Sequence, residues 1–167
     1  IADAGKALEV PVVSGNVSLY NETDGTAVLP TPTVATVGVH ENPDHAVGFH
    51  QAQSDDVLVL VGWPATEVEG AEAIHASLKT NVGYVKDWDL ADVATLSDWT
   101  RQTVQSEKVH AAAVVEQGGL TFAALRLALA SKTGVHLHLP DHLIPENGDG
   151  LHGVLFGEDK PAVLLAV

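Results

Sequence analysis

The sequence predicts a mixed α/β or α+β fold, on three observations. Short apolar and β-branched runs alternate along the chain with longer stretches of helical periodicity. Apolar residues make up 46% of the chain and charged residues 18%, a balance that builds a packed core rather than a disordered coil. The 167 residues suit one domain of ordinary size, or one domain with part of another.

The elements follow in order. Ile1, Ala4 and Leu8 fall at helical spacing, with Gly5 weakening the helix between them. Val10 to Val13 reads as a short buried strand, with Pro11 near its start. Ser14-Gly15-Asn16 signals a turn, and residues 17–20 are extended in character. Asn21 to Gly25 reads as a hairpin loop, Asp24-Gly25 being its strongest cue, with Thr26 to Leu29 as the return strand. Thr33 to His40 is β-branched and apolar, hence another strand. The mixed stretch Glu41 to Ser54 places a junction there and divides the chain into units of residues 1–45 and 46–167.

In the second unit, Val57 to Val61 is a continuous apolar strand expected to be buried on both faces. Helices are expected at Thr66 to Leu78 and at Leu90 to Gln105, the latter with Val93, Leu96 and Val104 inward. Val109 to Val115 is a strand. Gly118-Gly119 opens a helix over Leu120 to Ser131, with Gly134 as its stop. Val135 to Leu139 alternates as a strand, His136 and His138 on one side and the apolar residues on the other. Val154 to Phe156 and Ala162 to Val167 are the last strands. No internal repeat or low-complexity segment is present.

Charge narrows the function. The formal net charge is -14, and the eight basic residues are scattered, so a nucleic-acid surface is not expected. Any phosphate site must be local, made of backbone amides or a metal. The absence of cysteine excludes disulfides and thiolate chemistry, and fits a cytoplasmic origin. No apolar run approaches membrane-spanning length. The acidic start is unlike a signal peptide and reads as a cut edge within a longer pattern.

The most informative stretch is Pro11 to Gly38, PVVSGNVSLYNETDGTAVLPTPTVATVG. A strand ending in Ser14-Gly15-Asn16 presents backbone amides at a turn. Gly15 lets a phosphate or sugar approach the backbone closely. Asn16 offers a neutral oxygen of the kind magnesium accepts, and Glu22 a carboxylate. Ser18 offers a hydroxyl donor to an anion. Spacing alone favours an ordinary hairpin with turn residues.

The full wording of that stretch resembles the second half of the synthetase part of formylglycinamide ribonucleotide amidotransferase, also called phosphoribosylformylglycinamidine synthase. The likeness is close over residues 5–39 and collinear beyond: Asp55 to Gly62, Gly118-Gly119-Leu120 and Leu155-Phe156-Gly157-Glu158 resemble later motifs of that family in order. The resemblance implies a unit like the aminoimidazole ribonucleotide synthetase C-terminal domain over residues 46–167. Residues 1–45 would be the tail of a truncated N-terminal-type domain. It implies a piece of an ATP-dependent ligase of purine biosynthesis. That enzyme makes formylglycinamidine ribonucleotide from formylglycinamide ribonucleotide and glutamine-derived ammonia, with ATP and Mg2+ as cofactors. By motif position, Gly15 would contact nucleotide, Asn16 would bind magnesium and Ser18 would contact substrate. The implied partners are the remainder of the synthetase, a glutaminase, small accessory subunits and a small nucleotide substrate. The implied location is cytoplasmic.

Departures from the family pattern are as informative. The family's Ser-x-His-Asp-x-Ser-Asp run before Gly-Gly-Leu stands here as Ala111 to Gln117, its His-Asp pair replaced by Ala113-Val114 and its last Asp by Gln117. The family's catalytic histidine and most magnesium carboxylates belong to its first unit. This chain alone is therefore expected to be inactive, and no catalytic residue is assigned.

Other candidates weigh less. His136, His138, Asp141 and His142 could hold zinc or nickel, against a solvated strand edge as the plainer reading. Gly118-Gly119 could receive a phosphate, against a role in turning and packing. Asn147 to Gly150 resembles part of a calcium loop but lacks the downstream Glu. Trp63, Trp88 and Trp99 suggest packing or interfaces, and Ser77, Ser97 and Ser106 have no base at a recognisable spacing. Two rival functions remain: a non-catalytic structural or interaction domain, and another ATP-using member of the superfamily such as a thiamine-phosphate kinase or selenophosphate synthetase. If residues 1–40 are a tail, their strands lack partners and should pair with another copy, giving a homodimer or larger assembly.

Overall fold

A computed structural model describes residues 1–17, 21–29, 31–79, 83, 87–144 and 150–167. Helix α1, Ala2–Ala7, forms where the sequence predicts it, with Asp3 in its first turn and Lys6 in its last, complementing the helix dipole. Strands β1, Glu22–Thr23, and β2, Thr26–Ala27, pair antiparallel across Asp24-Gly25. Both turn residues have positive φ, 51° and 76°, the backbone of a tight primed turn. The strands expected at Val10 to Val13 and Thr33 to His40 are absent as ladders. Val13 is 90% exposed and Val37 95%, so their β-branched side chains have nothing here to pack against.

Residues 46–167 carry the core. Strands β3, Leu58–Gly62, β4, Ala111–Val115, and β5, Ala162–Ala166, form one sheet in the order β3-β5-β4, every pair antiparallel. β3 and β4 therefore run parallel to each other with β5 between them, a split β-α-β arrangement. Between them in sequence, among the described residues, lie two helices: α2, Glu72–Leu78, shorter than expected, and α3, Leu90–Gln105, with the expected bounds. Asp89 caps α3 by accepting the Ala91 N–H at 2.8 Å. Leu96 is buried on α3, and the helix also meets α1.

Helix α4, Gly119–Ser131, lies across one face of the sheet. Its Leu120, Ala123, Ala124 and Leu127 pack with Ala111, Ala113, Val115, Ala162, Leu164 and Ala166. The buried faces of β4 and β5 carry alanine at Ala111, Ala113, Ala162 and Ala166, which lets helix and sheet approach closely. At about 25 cal/mol per Å2, burying a side chain the size of Leu127 contributes about 2 kcal/mol. α4 stops at Lys132, which takes the left-handed conformation at φ 56°, and not at Gly134.

Three further expectations are corrected. β3 is not buried on both faces: Val59 on one face is half-exposed, while Leu58 and Leu60 on the other pack on the core. Val135 to Leu139 forms no ladder, although its alternation survives, with Leu137 and Leu139 packed toward the core and His136 and His138 exposed. Residues 154–156 are helical, as part of α5, Leu151–Phe156, because this apolar run packs on α4 instead of joining the sheet. Among the described residues, no helix is long and apolar enough to cross a membrane.

Candidate functional site

The segment Ser14-Gly15-Asn16, expected as a turn, is irregular and without a turn in the structure, with all three residues exposed on the surface. A Cβ built on Gly15 would meet nothing within 4 Å, so the backbone there is open to close approach by a ligand. Asn16 follows it directly and supplies an amide oxygen. Ser18, the third residue of the expected set, lies outside the described residues. Gly15 and Asn16 are thus neighbours on one exposed segment.

A second constellation forms at one end of the three-stranded sheet. Gly62 and Val115, the last residues of β3 and β4, both lie opposite Ala162, the first of β5, so three loops meet there. Oε1 of Glu158 accepts the Gly118 N–H at 2.8 Å and the Glu72 N–H at 2.9 Å. One carboxylate thereby satisfies donors at the starts of α4 and α2, where the helix dipole favours negative charge. Asp159 accepts from the Thr66 N–H at 2.9 Å, the Thr66 hydroxyl at 2.9 Å and the Glu67 N–H at 3.3 Å. Burial works to raise the Asp159 carboxyl, but these donors outweigh it and hold the group below the usual carboxylate range.

This geometry decides the fate of the glycine pair. Gly118 and Gly119 both have positive φ, 86° and 66°. A Cβ on Gly119 would come within 2.7 Å of the Phe156 backbone. The Gly118 N–H, which the sequence offered to a phosphate, is taken by Glu158. Two motifs that stand forty residues apart, Gly118-Gly119-Leu120 and Leu155-Phe156-Gly157-Glu158, are therefore joined by one hydrogen bond. The sequence marked Glu158 as part of a motif but carried no local signal of its role, because its partners are distant. Nearby, Arg126 of α4 pairs with Glu116 at 2.7 Å.

The segment before β3 touches the outer edge of β4 at Gly48. The Ala112 N–H donates to the Gly48 carbonyl at 3.1 Å, and the Ala52 N–H to Ser131 Oγ at 2.9 Å. His110 Nδ1 lies 2.8 Å from Asp56 Oδ1, and Asp56 also accepts the Gln53 N–H at 2.8 Å. His45 Nε2 lies 2.9 Å from Glu107. Nothing in the local sequence pairs these groups. Among the described residues, no three His, Asp or Glu side chains are placed to share a metal ion, so His136, His138, Asp141 and His142 do not converge as a zinc or nickel site would require. Residues 145–149, with most of the calcium-loop candidate, lie outside the described residues.

No family model matches the chain. Comparison with curated proteins is more informative. The chain is 40% identical over 166 residues, 99% of its length, to the phosphoribosylformylglycinamidine synthase subunit PurL of Caulobacter vibrioides. It is 34% identical over 167 residues, 100% of its length, to the PurL subunit of Allorhizobium ampelinum. To that of Acidiphilium cryptum it is 36% identical over 167 residues, 99% of its length. In each case the chain spans 22% of the relative's length. By sequence, then, the chain is related over essentially all its residues to a segment, about a fifth of the whole, of the phosphoribosylformylglycinamidine synthase subunit PurL.

Proposed function

We propose that the chain serves as a segment of an ATP-dependent C–N ligase. The reaction would convert formylglycinamide ribonucleotide and glutamine-derived ammonia to formylglycinamidine ribonucleotide. The observation that carries this reading is 40% identity to a PurL subunit over 99% of the chain. The ordered motifs from Ser14 to Glu158 add to it.

In this reading residues 46–167 are a unit like the aminoimidazole ribonucleotide synthetase C-terminal domain, and residues 1–45 the tail of an N-terminal-type domain. The Ser14 to Ser18 segment forms one edge of a nucleotide site. Gly15 admits the nucleotide to the backbone, the Asn16 amide oxygen faces Mg2+ as a hard ligand, and the Ser18 hydroxyl contacts substrate. Bound Mg2+ and ATP would supply the phosphoryl group and the charge neutralisation for activating an amide oxygen. The acid–base groups come from elsewhere in the synthetase, so the 167 residues alone are inactive. The setting is cytoplasmic, with a glutaminase and small accessory subunits as partners. The exposed valines at 12, 13, 37 and 39 suit burial against the remainder of such a synthetase, or against a second copy of this chain.

Magnesium-ADP calorimetry on this chain beside Asn16→Ala tests the site. Binding that the variant loses supports the assigned edge. Binding by neither favours a second reading, a structural domain without its own ligand. That reading draws on Ala111 to Gln117, where Ala113 is buried in the core and Val114 stands where the family carries Asp. A thiamine-phosphate kinase or selenophosphate synthetase role is disfavoured by the PurL likeness.

A further inference from the structure

Two of the histidines hold a ring nitrogen against a carboxylate, and the two pairs differ in kind. His45 Nε2 meets Glu107 at 2.9 Å with both side chains exposed, so water screens the contact. His110 Nδ1 meets Asp56 Oδ1 at 2.8 Å, and the Asp56 side chain is only 7% exposed. The second oxygen of Asp56 accepts the Gln53 N–H at 2.8 Å, and the Asp56 N–H donates to the Gln53 carbonyl at 3.3 Å. The His110 N–H donates to the Ala166 carbonyl at 2.9 Å, which fixes its main chain on the sheet. Both members of the pair are therefore held in place before any ligand arrives.

This contact sets the tautomer of the ring. A carboxylate accepts and does not donate, so the proton sits on Nδ1. Nε2 of the neutral ring then carries the lone pair. Among the described residues, the ring has no second polar partner. The His110 side chain is 39% exposed and lines a cleft of about 390 Å3 with Asp44, His45, Gln51, Gln53 and Glu107. Asp56 is not part of that lining, so the nitrogen bound to it is turned from the cleft and Nε2, across the ring, toward it.

We propose that His110 is a nucleophilic imidazole, a modification site for neutral acylating electrophiles that enter this cleft. The buried carboxylate favours the positive charge that grows on the ring as Nε2 forms its bond. Charge selects the class of electrophile. Asp44 and Glu107 line the cleft and, among the described residues, no Lys or Arg does, so an anionic phosphoryl donor is repelled and a neutral acyl donor is not. In the step, the Nε2 lone pair bonds to the acyl carbon and the bond from that carbon to its leaving oxygen breaks. The Nδ1 proton passes to Asp56 or to water. A neutral N-acylimidazole remains, and the leaving group departs with the electron pair. The site shares no residue with the Gly15 and Asn16 edge.

Diethyl pyrocarbonate, a neutral acylating reagent, tests the site on the whole chain, with each histidine followed by peptide mass spectrometry. At about pH 8 the neutral imidazole dominates, so rates compare nucleophiles and not protonated fractions. His110 should react at least about threefold faster than the exposed His136 and His138. In Asp56→Asn, which removes the charge behind the ring, the His110 rate should fall about fivefold while those of His136 and His138 stay unchanged. His110 reacting no faster than His136 and His138 overturns the proposal, as does an unchanged His110 rate in the variant. Should the variant unfold, the wild type decides through long-range nitrogen–proton NMR of the imidazole. A proton on Nδ1 with the lone pair on Nε2 supports the site, and the opposite tautomer overturns it.

Discussion

Glu158 Oε1 accepts the Gly118 N–H at 2.8 Å, tying the segment after α5 to the start of α4. The same oxygen takes the Glu72 N–H at 2.9 Å. Removing it strands donors at two helix starts. Glu158→Ala is expected to lower stability by about 2 kcal/mol, and Glu158→Gln, which keeps a neutral acceptor, by about half that. Urea midpoints at unchanged slope check the ranking.

Asp159 adds a pH dependence of defined sign. Its carboxyl is held below the usual range in the folded state by the Thr66 and Glu67 donors, against the opposing effect of burial. The folded state therefore favours the ionised form. The contribution is fully present above the unfolded value, about 3.9, and is lost as pH falls through the lower folded value. The stability gap between wild type and Asp159→Asn should hold from pH 7 to 5 and narrow below about 4. Thermal melts across that range read it, and a gap that widens on acidification contradicts the assignment.

Gly119 and Gly134 make a matched pair. Gly119 has φ 66° and no room for a Cβ beside Phe156, whereas Gly134 has open space and no positive φ. Gly119→Ala should cost roughly 3 kcal/mol from strain and overpacking together. Gly134→Ala should be neutral or stabilising by about 0.5 kcal/mol, through the unfolded chain. Denaturation of the two variants side by side measures the contrast.

Lys132 ends α4 in the left-handed region at φ 56°. Glycine has no steric penalty there. Lys132→Gly is expected to raise stability by about 0.5 kcal/mol, the relieved strain exceeding the added freedom of the unfolded chain. A fall in melting temperature would count against this account of the cap.

The helix over Leu90 to Gln105, the strand cores in β4 and β5, and the Asp24-Gly25 hairpin were legible because each is set by local pattern: a cap, a run of apolar residues, a turn that demands positive φ. Val10 to Val13 and Thr33 to His40 misled because β-branched residues favour a pleated surface only when a neighbour provides one. Leu151 to Phe156 misled because a short apolar run does not distinguish strand from helix. At the candidate site, Gly15 and Asn16 are exposed, but the turn expected at Ser14-Gly15-Asn16 is not formed, because a turn-type residue run does not fold into a turn without flanking strands to close it. Glu158, Asp159 and the His110–Asp56 pair were not legible, since their partners lie 40 to 93 residues away and leave no mark on local sequence. The phosphate suggested for Gly118 was displaced by a carboxylate from the chain itself.

The strand order has a consequence in time. β5, the middle strand, is the last of the three to leave the ribosome, and β3 and β4 share no hydrogen bond with each other. Until residues 162–166 have been synthesised, the two earlier strands wait as separate apolar runs, Leu58 to Gly62 and Ala111 to Val115, with no template between them. Insertion of β5 then completes both ladders at once, so nascent chains stopped short of Ala162 are the ones most in need of a chaperone.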